Sequence, residues 1–370
     1  MRVLITGGGT GGHVYPALAV ADELVAHPRW HTTEKDIAWV GVAGNIEEEI
    51  IDRSNYDFLP VASGAIRGSS PLQLAKSVVH LARGVREARA HIRAFRPDAV
   101  LATGGYVAAP LILAARRERV PAVILLPDME PGMAVKYLSR LVEKVAVSFK
   151  EVTQHFPPGK ATVTGYPVRP ALFEQNRYGA RRNLGLESEG LVLLVLGGSR
   201  GARSINTAVE AMITRLLPLT QVIHLCGLEG YPHVKATQER LPNELSLRYR
   251  VYPYLHKEML DALAAADLVV ARAGAATLAE FPAVGLPAIL VPYPYAGRHQ
   301  ELNAAYLAAH GTGVVLSDDA LESQLESTVR GLLQDTERLQ AMREASRALA
   351  VPEASANVAA LLQRIAGGRS

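Results

Sequence analysis

Leu191-Val192-Leu193-Leu194-Val195-Leu196-Gly197-Gly198-Ser199-Arg200-Gly201-Ala202 decides the fold, because the chain has already made the same move once. An unbroken apolar run of this length reads as a strand buried on both faces. A glycine turn then leads it into a helix. At the start of the chain, Val3-Leu4-Ile5 runs into Gly7-Gly8-Gly9-Thr10-Gly11-Gly12-His13, and a helical pattern follows from about Pro16 to Ala26. Strand, glycine turn and helix open a parallel α/β sheet. Two such openings predict an α/β chain of two Rossmann-like, doubly wound parallel-sheet domains facing across a cleft. A length of 370 residues fits two domains.

Working outward, the first domain is expected over 1–164, with buried strands at Ile37–Val42, Ala99–Ala102, Val120–Leu126, Val142–Val147 and Thr162–Thr164. The second is expected over 165–351. An arginine-rich linker with a short helix (171–190) precedes Leu191, and strands follow at Gln221–Cys226, Leu247–Val251, Leu268–Ala271, Ala288–Val291 and Gly313–Leu316. Pro352 interrupts the terminal helical region, and the tail 352–370 is expected to pack back on the first domain.

Composition narrows the classes. With 49% hydrophobic and 20% charged residues, the chain is globular and can bury a sizeable core. A net charge of +3 does not indicate nucleic acid, although it leaves room for a local basic face. Cys226, the single cysteine, lies in an apolar run and reads as a core residue. The histidines are scattered and no Asp-x-Asp pair is present, so no metal set is expected. The lysine-bearing P-loop and the Gly-x-Ser-x-Gly elbow are missing too, which disfavours an ATPase and a triad hydrolase. Met1–Ile5 meets glycine too soon for a signal peptide, and no apolar run reaches the about 18 residues of a membrane span. The expected location is cytosolic, with the option of touching a membrane surface.

Gly7, Gly9 and Gly12 match the dinucleotide fingerprint, but Gly44-Asn45, not an acid, follow the second strand, which counts against NAD. Arg272-Ala273-Gly274-Ala275-Ala276-Thr277-Leu278-Ala279-Glu280 offers another site: a strand ends, a small-residue turn follows, and a helix begins with its N–H groups unsatisfied. Glu280, early in that helix, can reach a sugar hydroxyl, and Arg298, His299, Gln300 and Asn303 follow the next strand. This set suits a nucleotide-sugar; an ordinary strand-helix-strand unit with a polar loop reads equally well. The helix near Ser199 and Arg169 could stabilise a leaving diphosphate. His13 stands at a helix start, where the neutral imidazole of a base is favoured, or where it caps the helix. Asp128 and Glu130 follow a strand end, as site residues or as caps of a helix near Met133. From Ser63 to Arg89, Ile66 and Leu72 beside Arg67 form a candidate membrane-touching loop, and the later helical turns read as packed on the sheet.

Five of these motifs, in order along nearly the whole chain, resemble the family of peptidoglycan N-acetylglucosaminyltransferases: Gly7–Pro16, Gly104-Gly105-Tyr106-Val107, Pro167-Val168-Arg169, Gly197–Ala202 and Arg272–Thr277. The resemblance implies a GT-B glycosyltransferase of family 28, inverting and without cofactor or tightly bound metal. It moves N-acetylglucosamine from UDP-N-acetylglucosamine to the 4-hydroxyl of a muramyl-pentapeptide on undecaprenyl diphosphate, lipid I to lipid II, in cell-wall synthesis. It implies the inner face of the cytoplasmic membrane as partner surface, with the membrane patch around Ile66 to Arg89, and no nucleic acid. By position, Thr10, Gly11 and Gly12 would face sugar and diphosphate; Arg169 and Ser199 would bind diphosphate; Leu255 would bind uracil through its backbone. Ala275, Ala276, Thr277, Leu278 and Ala279 would line the phosphate turn, Glu280 would hold the ribose and Gln300 the sugar hydroxyls. His13 would take the acceptor proton, with Asp128 the other candidate. The segment Leu126–Gly132 departs from the family pattern His-Glu-Gln-Asn, His299-Gln300 replaces paired glutamines, and Tyr166 replaces an asparagine. A related transferase with another lipid acceptor, or a UDP-sugar-binding protein without transfer, are the alternatives.

Overall fold

The computed structural model describes residues 1–63, 71–198, 201–295 and 298–368, with the backbone alone for 71–76. It separates into two units, Met1–Arg169 with Val351–Ser370, and Pro170–Ala350. The first unit therefore runs on through 165–169, beyond the boundary expected at 164. The reason is local: Gly165 packs against Val351 and Ala354, Tyr166 bonds to Gly12, and Arg169 lies over Tyr15.

The first unit alternates β1 (Val3–Thr6), α1 (Gly11–Ala26), β2 (Ile37–Gly41), α2 (Ile46–Ile51), β3 (Asp57–Pro60), α3 (Pro71–Phe95), β4 (Ala99–Ala102), α4 (Ala108–Glu118), β5 (Ala122–Leu126), α5 (Met133–Leu138), β6 (Lys144–Val147) and β7 (Ala161–Val163). Among the described residues its strands are all parallel, in the order β3-β2-β1-β4-β5-β6-β7. The central strands are buried along their whole length, which explains their continuous Val, Ile, Leu and Ala. β3 is an edge strand with both ends exposed, so Asp57 and Pro60 are tolerated and its sequence carries no strand signature.

The second unit continues with α6 (Arg177–Asn183), β8 (Leu191–Leu196), α7 (Arg203–Leu216), β9 (Thr220–Leu225), α8 (Tyr231–Glu239), α9 (Asn243–Ser246), β10 (Tyr249–Tyr252), α10 (Met259–Ala265), β11 (Leu268–Ala271), α11 (Thr277–Val284), β12 (Ala288–Leu290), α12 (His299–Ala309), β13 (Gly313–Val315), α13 (Leu321–Gln334) and α14 (Thr336–Ala348). Its parallel sheet has the order β10-β9-β8-β11-β12-β13. In both sheets the strand order therefore reverses next to the first strand, between β1 and β4 and between β8 and β11. Open α/β sheets bind ligands outside the carboxyl ends of the strands at such a reversal.

The segment 171–190 is more than a linker. Asp267, buried at the start of β11, accepts from Arg181 (2.8 Å), Arg343 (2.9 Å), Arg177 (2.5 Å) and the Val192 N–H (2.9 Å). Arg181, itself buried, also donates to the carbonyls of Ser188 and Gly190 and so fastens the segment under the sheet. Breaking a buried set of this kind from one side costs about 3–5 kcal/mol.

The last helix, α15 (Ala354–Gly367), returns to the first unit. Val358, Ala359, Leu361 and Leu362 join Val14, Ala17, Ala21 and Leu24 of α1 in one core. A fully buried leucine such as Leu362 contributes about 1.5–3 kcal/mol by leaving water.

Candidate functional site

In the first unit the glycine turn after β1 meets the turn after β4. α1 begins earlier than its apolar pattern suggests, at Gly11 rather than near Pro16, with Thr10 as an extended N-cap whose side chain makes no cap bond. Gly11, Gly12 and His13 are thus the first turn of the helix; the His13 N–H bonds back to the Thr10 carbonyl at 3.1 Å, whereas those of Gly11 and Gly12 have no intrahelical acceptor. Gly7 has no room for a side chain: a Cβ there would fall 1.8 Å from Thr103 Oγ1. Thr103 Oγ1 instead donates to the His13 carbonyl at 2.6 Å, joining the two turns. The His13 imidazole lies against Gly104, its Cε1 3.9 Å from where that residue's Cβ would be. Gly104 and Gly105 both have positive φ, 88° and 75°, which lets the second turn double back there.

Arg169 belongs to this group. Its guanidinium lies 5.3 Å over the Tyr15 ring, and the same ring would touch a Cβ at Gly11. Asp128, half-buried, follows β5, the neighbour of β4, at the same sheet edge. Glu130 is drawn off to Lys136 at 3.3 Å. The structure thus gathers Thr10, Gly11, Gly12, His13 and Arg169 at one switch point, with Asp128 a strand further along the edge.

One residue escaped the sequence reading. An acid does follow β2: Glu47, fully buried, whose Oε2 accepts the Gly9 N–H at 3.1 Å. It stands in Glu47-Glu48-Glu49, which reads as a solvated charge run. The available signal was spacing, since Glu47 lies one helical turn before the buried Ile51 on the same face.

In the second unit the turn after β11 leads into α11. The N–H groups of Thr277, Leu278 and Ala279 close onto the carbonyls of Gly274, Ala275 and Ala276 at 3.0–3.1 Å, and Thr277 Oγ1 adds a 2.7 Å bond to Gly274. The N–H groups of Ala275 and Ala276 stay outside this ladder, and the Cβ position of Gly274 opens onto empty space. A turn with two N–H groups outside the ladder and open space over its glycine has room to take an anion. Leu278 is buried, a core side chain under the turn, whereas Ala275, Ala276, Ala279 and Glu280 are half-buried. Glu280 lies in the first turn of α11. Gln300 accepts the Tyr293 N–H through Oε1 at 2.9 Å, so its amide N–H groups point elsewhere. Asn303, fully buried, donates to the Ala273 carbonyl at 3.1 Å and fixes the turn from behind.

Arg272 is buried and turned into the fold. It donates to Val291 (3.2 Å), Ser204 Oγ (2.8 Å) and Asp318, joining the ends of β11 and β12 to α7. Leu255, after β10, is buried. Ser199, and Ile66 and Arg67 of the expected membrane loop, lie outside the described residues. The later turns of α3 do pack, through Gly84, Ala88 and Ile92, but Val78 and Val79 are exposed.

The chain has relatives among known proteins. Residues 3–147 match the glycosyltransferase family 28 N-terminal domain and residues 192–358 its C-terminal domain. The UDP-N-acetylglucosamine--N-acetylmuramyl-(pentapeptide) pyrophosphoryl-undecaprenol N-acetylglucosamine transferase of Roseiflexus sp. (strain RS-1) is 41% identical, covering 99% of this chain and 95% of that protein. The enzyme of the same name from Desulforudis audaxviator (strain MP104C) is also 41% identical, covering 99% of both chains. Among solved structures, Acinetobacter baumannii MurG superposes with a TM-score of 0.74 at 27% identity, covering 98% of this chain and 99% of that one. With both domains of one family in order and relatives alike along their whole length, the chain belongs to glycosyltransferase family 28 and is a hexosyltransferase.

Proposed function

We propose that the protein moves N-acetylglucosamine from UDP-N-acetylglucosamine to the 4-hydroxyl of N-acetylmuramoyl-pentapeptide on undecaprenyl diphosphate, the lipid I to lipid II step of peptidoglycan synthesis. The observation that carries this reading is 41% identity along 99% of the chain to an enzyme of that name. In this reading the second unit grips UDP. The N–H groups of Ala275 and Ala276 and the start of α11 meet the diphosphate, Glu280 the ribose, Leu255 the uracil through its backbone, and the amide of Gln300 the sugar hydroxyls. Ser199 adds to the diphosphate contacts. The first unit receives the acceptor at Thr10, Gly11 and Gly12, with Arg169 beside them for negative charge.

The acceptor oxygen attacks the anomeric carbon as the bond to UDP breaks, with inversion. His13 takes the hydroxyl proton, and Asp128 is the second candidate for that role. Charge developing on the leaving diphosphate is met by N–H groups already aimed at it, which need no reorganisation during the reaction.

The membrane contact belongs to the same proposal. Among the described residues no helix is long and apolar enough to cross a membrane. On α5, however, Met133 and Tyr137 stand 74% and 62% exposed one turn apart, flanked by Lys136 and Arg140. With Val78 and Val79 of α3 they suit peripheral binding to the anionic inner face of the plasma membrane, where the acceptor resides.

The test is transfer of labelled N-acetylglucosamine from the UDP-sugar to a lipid I analogue, with UDP release followed in parallel. Product on the lipid, matched by UDP, is the expected result. UDP binding with no lipid product would overturn the reading.

A further inference from the structure

Glu47 is a buried acid that the transfer mechanism leaves unused, and its position beneath the first glycine turn gives it a task. It stands in the first turn of α2, which follows β2, and its side chain passes under the turn that joins β1 to α1. Oε2 accepts the Gly9 N–H at 3.1 Å; Oε1 accepts Asn45 Nδ2 at 3.1 Å and the Val42 N–H at 3.4 Å. These three donors are all neutral N–H groups. The fit is tight, since a Cβ on Gly8 would fall 2.5 Å from the Glu47 carboxyl carbon. From the same side Trp39 Nε1 donates to the Gly7 carbonyl at 3.3 Å. Gly9 itself has φ of +83°, so the chain reverses where Glu47 holds it, and Thr10 emerges exposed.

We propose that Glu47 is a positioning residue for the lipid-linked acceptor, acting through the Gly9 N–H; this rests on the acceptor binding at the first unit, as above. Two consequences follow from the geometry. A phosphate-cradling glycine loop turns successive N–H groups outward toward the anion. Here the Gly9 N–H is turned inward, onto a carboxylate, so it is withdrawn from any ligand. The Glu47 carboxylate beneath Gly8 and Gly9 also repels an anion placed directly over them. The acceptor diphosphate is thereby directed away from the glycines of the turn, toward the first N–H groups of α1 at Gly11 and Gly12 and toward Arg169. The same hold fixes the backbone from which Thr10 and His13 project.

Glu47→Gln tests this without opening a cavity. The amide keeps the shape but brings a donor into a site lined with donors. The expected result is a fall of about tenfold or more in kcat/KM for a lipid I analogue, as one charge-assisted bond is worth, with UDP affinity nearly unchanged and the protein lower in Tm but still folded at the assay temperature. Asn45→Asp added to that variant supplies an acceptor for the new amide and should recover most of the loss. Amide exchange at Gly9 should quicken in E47Q and slow again in the double variant. Glu49→Gln, exposed and paired with Arg53, is the control and should transfer as the unmodified protein does. Wild-type kcat/KM in E47Q would overturn the proposal, and so would equal losses of transfer and UDP affinity, or no recovery in the double variant. Failure of the underlying reading would show separately, as an unmodified protein that makes no lipid product, and Gly9 exchange would still report the hold of Glu47.

Discussion

The hydroxyl of Tyr166 donates to the carbonyl of Gly12, 3.4 Å away, and that carbonyl lacks its helical partner because Pro16 stands four residues on with no N–H to give. A residue from the end of the first unit thus completes the first turn of α1, the turn that carries His13. Tyr166→Phe should lower stability by about 1 kcal/mol, the usual net worth of one hydrogen bond, read as a shift of the urea midpoint at constant m-value. An unshifted midpoint would mean that solvent satisfies Gly12 equally well.

His13→Ala should reduce kcat for lipid transfer by about 10²–10⁴-fold, the range of a lost general base. UDP affinity should hold, since the UDP contacts proposed above lie in the second unit. Parallel losses of turnover and UDP binding would remove His13 from the role of base and leave Asp128 to be tried by Asp128→Asn.

A pH effect arises far from any substrate. His224 is fully buried in β9, with Nδ1 2.7 Å from the Tyr249 hydroxyl and Nε2 3.0 Å from Asn206 Oδ1. Asn206 Nδ2 donates to the Cys226 carbonyl, so Oδ1 must accept, which puts the imidazole proton on Nε2 and makes Tyr249 the donor to Nδ1. Burial pushes the His224 pKa down from 6.5 to about 3. Between these values the unfolded chain binds a proton that the folded chain refuses. Stability from this site is therefore complete above pH 6.5 and is lost as the pH falls toward 3, at on the order of 1 kcal/mol per pH unit. In His224→Gln this loss is missing, so the difference in unfolding free energy between the two proteins should narrow from pH 7 to pH 5. A constant difference would contradict the shift.

Met133→Ser with Tyr137→Ser should weaken binding to vesicles containing anionic lipid by about tenfold, given the apolar area withdrawn. Lys136→Gln with Arg140→Gln should do so to a similar degree at low salt and less at high salt, because surface charges are screened. Sedimentation with such vesicles measures both. Wild-type binding by both double variants would move the membrane contact elsewhere on the chain.

Much of this molecule could be read from the sequence. Strands such as β1, β4, β8 and β11 are apolar throughout because both faces are covered, so their composition announces them. β3 did not, since an edge strand needs neither unbroken apolarity nor freedom from proline. The glycine turns were legible as places of sharp turning, but not what fills the space beneath them. Thr103 under Gly7 and Glu47 under Gly8 are contacts across 96 and 39 residues, and only the strand order brings them together. Nor could Arg181 be distinguished from its solvated neighbours without seeing Asp267 beside it. The turns that carry the candidate residues Gly11 and Ala276 could be located from motif alone. Leu278 shows the limit, because a motif position does not say which way the side chain turns.

The return of α15 to the first unit has a consequence for biosynthesis. As the ribosome releases the chain, residues 170–350 are available to fold as a unit before Val358, Ala359, Leu361 and Leu362 exist outside the exit tunnel. Until then the hydrophobic side of α1 around Ala17, Ala21 and Leu24 has no permanent cover and faces water. The unit translated first is thus completed after the one that follows it, which reverses the usual order of co-translational maturation, and a chain without α15 would carry a finished second unit attached to an unfinished first one.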